Sequence, residues 1–334
     1  MAPFVSVVIP VYNEERFIKA FLDSVYQQDY PQERLEIIVV DGHSSDRTVD
    51  IINENFPEVR VIDNPKKIVP ISMNMGIRVA KGEYIIRLDA HCTYPQDYFS
   101  RLIHYITTLP NADNVGGVCR TLPANDSAEA KAIAIALSSK FGIGNSEFRV
   151  GTNTIKEVDT VPFGCYRREI FEKIGGYDEE LIRNQDNELN SRLKIAGGTI
   201  YLIPDLPIDY YARDSVKKCA KMFYQYGLFN PLVDKKLKHV TSLRRMVPLF
   251  FVLYLVALIV FGVICPHLIA WFAIPLFIYI ILDILFSLKE FSHPKVALWL
   301  LVIYPVMHVN YGMGYLDGFF RIITKRPFSA NSNH

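Results

Sequence analysis

Leu35-Glu36-Ile37-Ile38-Val39-Val40-Asp41-Gly42-His43-Ser44-Ser45-Asp46 begins as a strand and ends as a polar turn. The near-continuous apolar run Leu35–Val40 marks a strand buried on both faces, the habit of a parallel sheet covered by helices. Upstream, Val5–Val11 has the same character, and Phe17, Ala20, Phe21, Ser24 and Val25 follow it at helical spacing. Downstream, Asp46 is placed to cap a helix through about Asn55, and Val59–Ile62 reads as a third strand. Ile71–Ala80 reads as a helix stopped by Gly82, and Tyr84–Leu88 as a strand closed by Asp89. This βαβαβαβ order predicts an α/β, Rossmann-like, mostly parallel sheet with helices on both faces. Beyond Asp89 the pattern loosens. It predicts helix Gln96–Thr108, strand Val115–Arg120, helix Ala128–Lys140, a mobile loop Gly142–Lys156, strand Val158–Tyr166, and helices Arg168–Ile174 and Asp186–Ala196.

The 334 residues carry 36 Lys plus Arg against 35 Asp plus Glu, a net charge of +1. No basic excess points to nucleic acid. The charge is unevenly placed, however. Met246–Leu288 holds a single formal charge, Asp283, whereas Arg213–Arg245 holds nine Lys or Arg and two Asp. Met246–Cys265 and Leu268–Leu288 are each long enough to cross a hydrocarbon core about 30 Å thick. A third run, Val296–Phe320, is interrupted by Pro305, Asn310, glycines and Asp317, so a kinked or re-entrant element is expected there. Ser215–Gly227 is amphipathic, with Val216, Cys219, Ala220, Phe223 and Tyr226 on one side and Lys217, Lys218 and Lys221 elsewhere. Beside the first span it reads as an interfacial helix meeting anionic lipid. The expected domains are catalytic 1–212, a basic collar 213–245, a membrane region 246–320 and a tail 321–334. Five cysteines without a CxxC spacing indicate neither a disulfide framework nor a zinc site. The N-terminus has no signal-peptide pattern. The expected location is the cell membrane, multi-pass, with the front half cytoplasmic.

In an open parallel sheet, ligands bind outside the carboxyl ends of the strands, where Asp41 and Asp89 fall. A carboxylate there can hold a base, a ribose or a cation on a diphosphate; taken alone, either one is better explained by an Asx-turn or helix cap. Neither GxGxxG nor GxxxxGK[ST] follows the first strand, which argues against dinucleotide oxidoreductases and P-loop NTPases.

The combination is more specific. Val8-Ile9-Pro10-Val11-Tyr12-Asn13-Glu14, Val40-Asp41-Gly42-His43-Ser44-Ser45-Asp46, Asn74-Met75-Gly76, Ala80-Lys81-Gly82-Glu83-Tyr84 and Leu88-Asp89-Ala90-His91 stand in the order of glycosyltransferase family 2. Gly164-Cys165-Tyr166-Arg167-Arg168, Gly175-Gly176-Tyr177-Asp178 and Gln185-Asp186-Asn187-Glu188-Leu189 match its acceptor side. The chain resembles that family over about residues 4–230, and within it the succinoglycan-type exopolysaccharide glucosyltransferases. The resemblance implies a GT-A fold that uses a nucleotide-diphosphate sugar and inverts the anomeric centre. It implies Pro10, Tyr12, Glu14, Asp41, Asn74 and Gly164 as nucleotide-sugar-binding, with Asp89 and His91 at the metal and diphosphate. Asp186 is then the catalytic base, and Gln185, Glu188, Arg192 and Arg213 are candidate acceptor or phosphate contacts.

Two departures matter. The family usually has a second Asp where His91 stands, and imidazole suits Mn²⁺ better than Mg²⁺. Gln185 stands where an acid often precedes the base, which removes a like charge. No QxxRW follows Asp186, so one sugar per cycle is expected rather than polymerisation. The expected partners are a UDP-sugar, a polyprenyl-diphosphate-linked saccharide and the bilayer. The open rivals are a polyprenyl-phosphate sugar synthase, whose ionised acceptor hardly needs a base, and a catalytically silent membrane scaffold.

Overall fold

The computed structural model describes residues 2–239 and 243–328. The collar residues Val240, Thr241 and Ser242 and the end of the tail, 329–334, lie outside the described residues. The chain divides into two compact units: Met1–Arg120 with Glu147–Tyr210, and Thr121–Ser146 with Tyr211–His334.

The first unit is built on the expected alternation: β1 (Val5–Val11), α1 (Ile18–Tyr26), β2 (Leu35–Asp41), α2 (Thr48–Asn55), β3 (Arg60–Asp63), α3 (Val69–Val79) and β4 (Tyr84–Arg87). β1 pairs in parallel with both β2 and β4, and β2 with β3. Both faces are buried. Val7, Ile9, Val39 and Ile86 face one apolar cluster, while Val8, Ile38, Val40 and Ile85 face another.

The parallel half ends at β4. After β5 (Cys92–Thr93) and α4 (Tyr98–Thr108) come β6 (Ala112–Leu122) and later β7 (Lys156–Glu157), β8 (Cys165–Arg167), α8 (Arg168–Ile174), α9 (Gln185–Ile195) and β9 (Thr199–Tyr211). β8 runs antiparallel to β4 and β6, and β9 antiparallel to β5 and β7. The sheet order is therefore β3-β2-β1-β4-β8-β6-β9-β5, a mixed sheet. The strand expected over Val158–Tyr166 is mostly irregular. Pro162 lacks a ladder donor and Phe163 sits at φ 45, so pairing resumes only at Cys165.

The second unit is helical: α5 (Ala128–Ser138), α6 (Lys140–Ile143), α10 (Val216–Leu237), α11 (Val247–Ile264), α12 (Ile269–Phe272), α13 (Ile274–Ser287) and α14 (Pro294–Thr324), while α7 (Glu147–Val150) belongs to the first unit. The segment read as a mobile loop therefore holds the second half of α6 and all of α7, the latter tied by Lys156 to Glu147 at 2.6 Å.

Thr121–Ser146 leaves the catalytic domain that the sequence predicts for it. The reason is apolar: Ala132, Ile133, Ala136 and Leu137 of α5 bury with Leu300, Ile303, Tyr304 and Met307 of α14 and Cys219, Met222 and Phe223 of α10. Each fully buried large side chain in that cluster contributes roughly 2 kcal/mol. The apolar face of α10, expected to meet lipid, is thus covered by protein, with Lys217, Lys218 and Lys221 exposed.

Among the described residues, three helical stretches are long and apolar enough to cross a membrane: Leu243–Ile264, Pro266–Glu290 and Pro294–Thr324. The third is one continuous helix through Pro305, so the non-helical re-entrant element is absent. Its apparent interruptions are contacts. A side chain at Gly314 or Gly318 would strike the carbonyls of Tyr224 and Leu228, so these glycines let α14 lie against α10. Asp317 pairs with Arg321 at 2.9 Å and accepts the Tyr224 hydroxyl at 2.6 Å. His308 Nε2 lies 2.9 Å from the Phe141 carbonyl and its Nδ1 2.8 Å from the Tyr279 hydroxyl.

Candidate active site

The carboxyl ends of β1, β2 and β4 lie side by side because these strands are parallel neighbours. The loops that leave them hold most of the expected donor-side residues. Asp41 closes β2, is almost fully buried, and accepts the Ser44 hydroxyl at 2.5 Å and the Ser44 amide at 2.9 Å. The turn reading of Asp41 is therefore realised. Asn13, at φ 54, braces the same loop by accepting the Ser45 amide at 2.9 Å. Asp46 accepts the Thr48 amide at 3.0 Å and steadies the start of α2. Pro10 and Tyr12 are half-buried at the end of β1, and the Lys67 ammonium lies 5.1 Å over the Tyr12 ring.

Asp89 and His91 follow β4. His91 Nδ1 lies 3.2 Å from Glu14 Oε1 and 3.5 Å from Asp89 Oδ1, and the His91 amide donates to Asp89 Oδ1 at 3.0 Å. Glu14, on the loop after β1, is buried, and its second oxygen has no hydrogen-bond partner among the described residues. Burial pushes the Glu14 carboxyl up to about 7, with His91 opposing and Asp89 and Asp46 adding to the rise. Asp89 goes the other way. Its own burial would raise it, but the hydrogen bonds and charge of His91 and the charge of Arg87 outweigh that.

Among the described residues no group of three His, Cys, Asp or Glu is arranged to hold a metal. Asp89, a half-exposed His91 and an under-satisfied Glu14 oxygen nevertheless fit a cation that takes its other ligands from a diphosphate.

On the acceptor side, α9 begins after Asn184, which sits at φ 62, and Asp186 lies in its first turn. The Asp186 carboxylate forms an ion pair with Arg87, the last residue of β4. That arginine escapes the family motifs, yet the sequence carries its signal. It is a charge inside the otherwise apolar run Tyr84–Leu88, where a buried strand has no reason to hold one. Gly164 lies beside it, its carbonyl accepting the Arg87 amide at 3.2 Å.

Other expected contacts have different tasks. Asn74 spends its amide on the main chain of Tyr177, accepting at 2.7 Å and donating at 2.9 Å, and on Glu179 at 3.0 Å. Glu188 pairs with Arg192 at 2.5 Å, and Arg192 donates to the Ile174 carbonyl at 2.5 Å and the Gly176 carbonyl at 2.7 Å. These two clamp α8 to α9. Gln185 is buried at the head of α9. Arg213 lies in the second unit, just ahead of α10, half-buried.

The family model described as glycosyl transferase family 2 matches residues 6–175. A dolichyl N-acetyl-alpha-D-glucosaminyl phosphate 3-beta-D-2,3-diacetamido-2,3-dideoxy-beta-D-glucuronosyltransferase of Methanococcus voltae is 32% identical over 78% of this chain and 82% of its own. The succinoglycan biosynthesis protein ExoA of Rhizobium meliloti is 34% identical over 73% of this chain and 74% of its own. In structure, a mannosyltransferase from Pyrobaculum calidifontis, solved with GDP-Man and Mn²⁺, covers 96% of this chain and 88% of its own at a TM-score of 0.60 and 16% identity. The chain belongs to glycosyltransferase family 2, and its mixed sheet is the GT-A fold.

Proposed function

We propose that the protein is an inverting glycosyltransferase that moves one sugar from a nucleotide-diphosphate sugar, UDP-linked, to a polyprenyl-diphosphate-linked saccharide at a membrane. The observation that carries this reading is one carboxylate, Asp186, tied by Arg87 to the strand whose next turn presents Asp89. The lipid-linked acceptor rests on the relatives named for a dolichyl phosphate sugar and for succinoglycan, together with the apolar helices.

Inversion is a single displacement. The acceptor hydroxyl oxygen attacks the anomeric carbon, the bond to the diphosphate breaks on the opposite face, and the hydroxyl proton passes to Asp186. Tyr12, Asp41 and the turn around Ser44 hold the nucleoside, while Asp89 and His91 face the diphosphate. Asp89 and His91 would hold a divalent cation, which would supply positive charge to the leaving diphosphate.

The test is transfer in detergent with a panel of UDP-sugars and GDP-mannose, with and without Mn²⁺, the product anomer being read by NMR. Asp186→Asn keeps the shape and removes the proton acceptor, so transfer is expected to collapse while UDP binding, followed by calorimetry, survives. Near-normal transfer by that variant would remove the base and favour an ionised phosphate acceptor instead.

A further inference from the structure

Arginines in the first unit are placed in two ways. Arg167 spends its guanidinium on the Ala112 carbonyl at 2.8 Å and the Ile106 carbonyl at 2.9 Å. Arg192 does the same with three carbonyls and Glu188. Such side chains are struts, with their donors matched to main-chain acceptors. Arg87 is unlike them. Its side chain is 8% exposed, its only side-chain hydrogen bond among the described residues goes to Asp186, and its Nε is buried without a partner. Below it lies the ring of Phe163, 5.9 Å from the guanidinium carbon, on a backbone at φ 45.

A buried guanidinium with an orphaned donor costs stability, and a strained residue packed against it adds to that cost. Placement of this kind is tolerated where geometry at a site demands it. The demand here is legible. Arg87 Nη1 grips Asp186 Oδ1, leaving Oδ2 of the 34%-exposed side chain without a hydrogen bond among the described residues. An Asp in the first turn of a helix otherwise turns back to cap amides. Asp186 makes no such bond among the described residues, because its carboxylate is held toward β4.

We propose that Arg87 is a positioning residue: it fixes the Asp186 carboxylate so that Oδ2 is presented to the acceptor hydroxyl, and sets the base two residues along β4 from Asp89. This inference rests on the assignment of Asp186 as base. Arg87 itself touches neither donor nor acceptor, so its loss acts on the rate through Asp186.

The experiment uses the full chain in detergent, with UDP and Mn²⁺ as the binding probe and the UDP-sugar returned by the transfer screen as donor. Arg87→Gln is expected to lower kcat about 10²-fold, the scale of losing a major electrostatic organiser, with donor KM and UDP affinity within about threefold of the parent. Arg87→Lys, which restores a cation but not the fork, is expected to recover part of the rate, and it carries the same comparison if Arg87→Gln does not fold. The double variant Arg87→Gln/Asp186→Asn is expected to be no slower than Asp186→Asn alone, since both changes disable one device. Losses that multiply in the double variant, or a UDP affinity that falls in step with kcat, overturn the proposal. An Asp186→Asn enzyme at full speed removes the base assignment instead, whatever Arg87 does.

Discussion

Glu14 is the residue at which the site's electrostatics are most exposed to test. Its carboxyl is buried and half-satisfied, and its value in the folded chain, about 7, lies above the ordinary 4.5. A raised folded value means that the native state binds the proton more tightly than the unfolded chain. The stability it contributes is therefore fully present below the ordinary carboxylate value and is lost as pH rises through about 7. In EDTA, the melting temperature is expected to fall between about pH 5 and 8, and Glu14→Gln, which is neutral throughout, is expected to flatten that fall. Parallel curves for parent and variant would show that Glu14 is already ionised at low pH. Asp89 makes a separate prediction. Asp89→Ala is expected to cost about 10²-fold in turnover, and excess EDTA to do the same to the parent. Full activity in EDTA would exclude a metal-dependent reaction. At His91 the site departs from the family's acidic residue. With its imidazole between two carboxylates, the Mn²⁺ titration of His91→Ala is expected to shift to higher concentration.

Among the elements, α9 and its neighbours show how a motif residue can be structural. Glu188 and Arg192 lie one turn apart, and their pairing closes α9 onto the Ile174–Gly176 turn. Arg192→Ala strips three carbonyls of a donor and leaves the nearly buried Glu188 without this partner. The expected cost is about 2–4 kcal/mol, read as a drop of roughly 5–10 °C in melting temperature. A raised acceptor KM with an unchanged melting temperature would return Arg192 to the acceptor. The parallel half of the sheet was legible because Val5–Val11, Leu35–Val40 and Tyr84–Leu88 are apolar runs separated by helical spacing, a pattern with one physical reading. β9 was not. Thr199–Tyr211 contains Pro204 and Pro207, which argue against a strand, yet Ile200, Leu202, Leu206 and Ile208 still bury at alternating positions around the break. Of the site, Asp89 and Asp186 could be placed from their motifs. Arg87 could not, because an ion pair across 99 residues of chain leaves no local period to read.

For the second unit as a whole, the question is which side of the membrane receives the tail. Basic residues gather on the cytoplasmic side, and Arg213–Arg245, Lys289, Lys295, Lys325 and Arg326 all ask for that side. Three full spans would deny it to the last two. At 31 residues α14 measures roughly 46 Å, ample for crossing. Its packing argues otherwise. One face is buried along α10 and α5, helices that carry Lys217, Lys218, Lys221, Glu129 and Lys131. Its own Asp317 and Arg321 pair within that contact. A helix packed against two helices that carry such charges is expected at the interface, its other face, with Leu298, Trp299, Val302 and Phe320 exposed, turned to lipid. By contrast, α11, α12 and α13 leave Ile259, Val263, Ile264, Trp271 and Phe277 exposed, as a hairpin entering hydrocarbon does. The prediction is an even number of crossings: α11 and α13 enter and return, α14 lies along the surface, and the tail ends on the side of the basic collar. A Ser332→Cys chain in intact cells is then expected to resist a membrane-impermeant maleimide and to react after permeabilisation. Labelling from outside without permeabilisation would establish α14 as a third span and break the match between basic residues and the inner face.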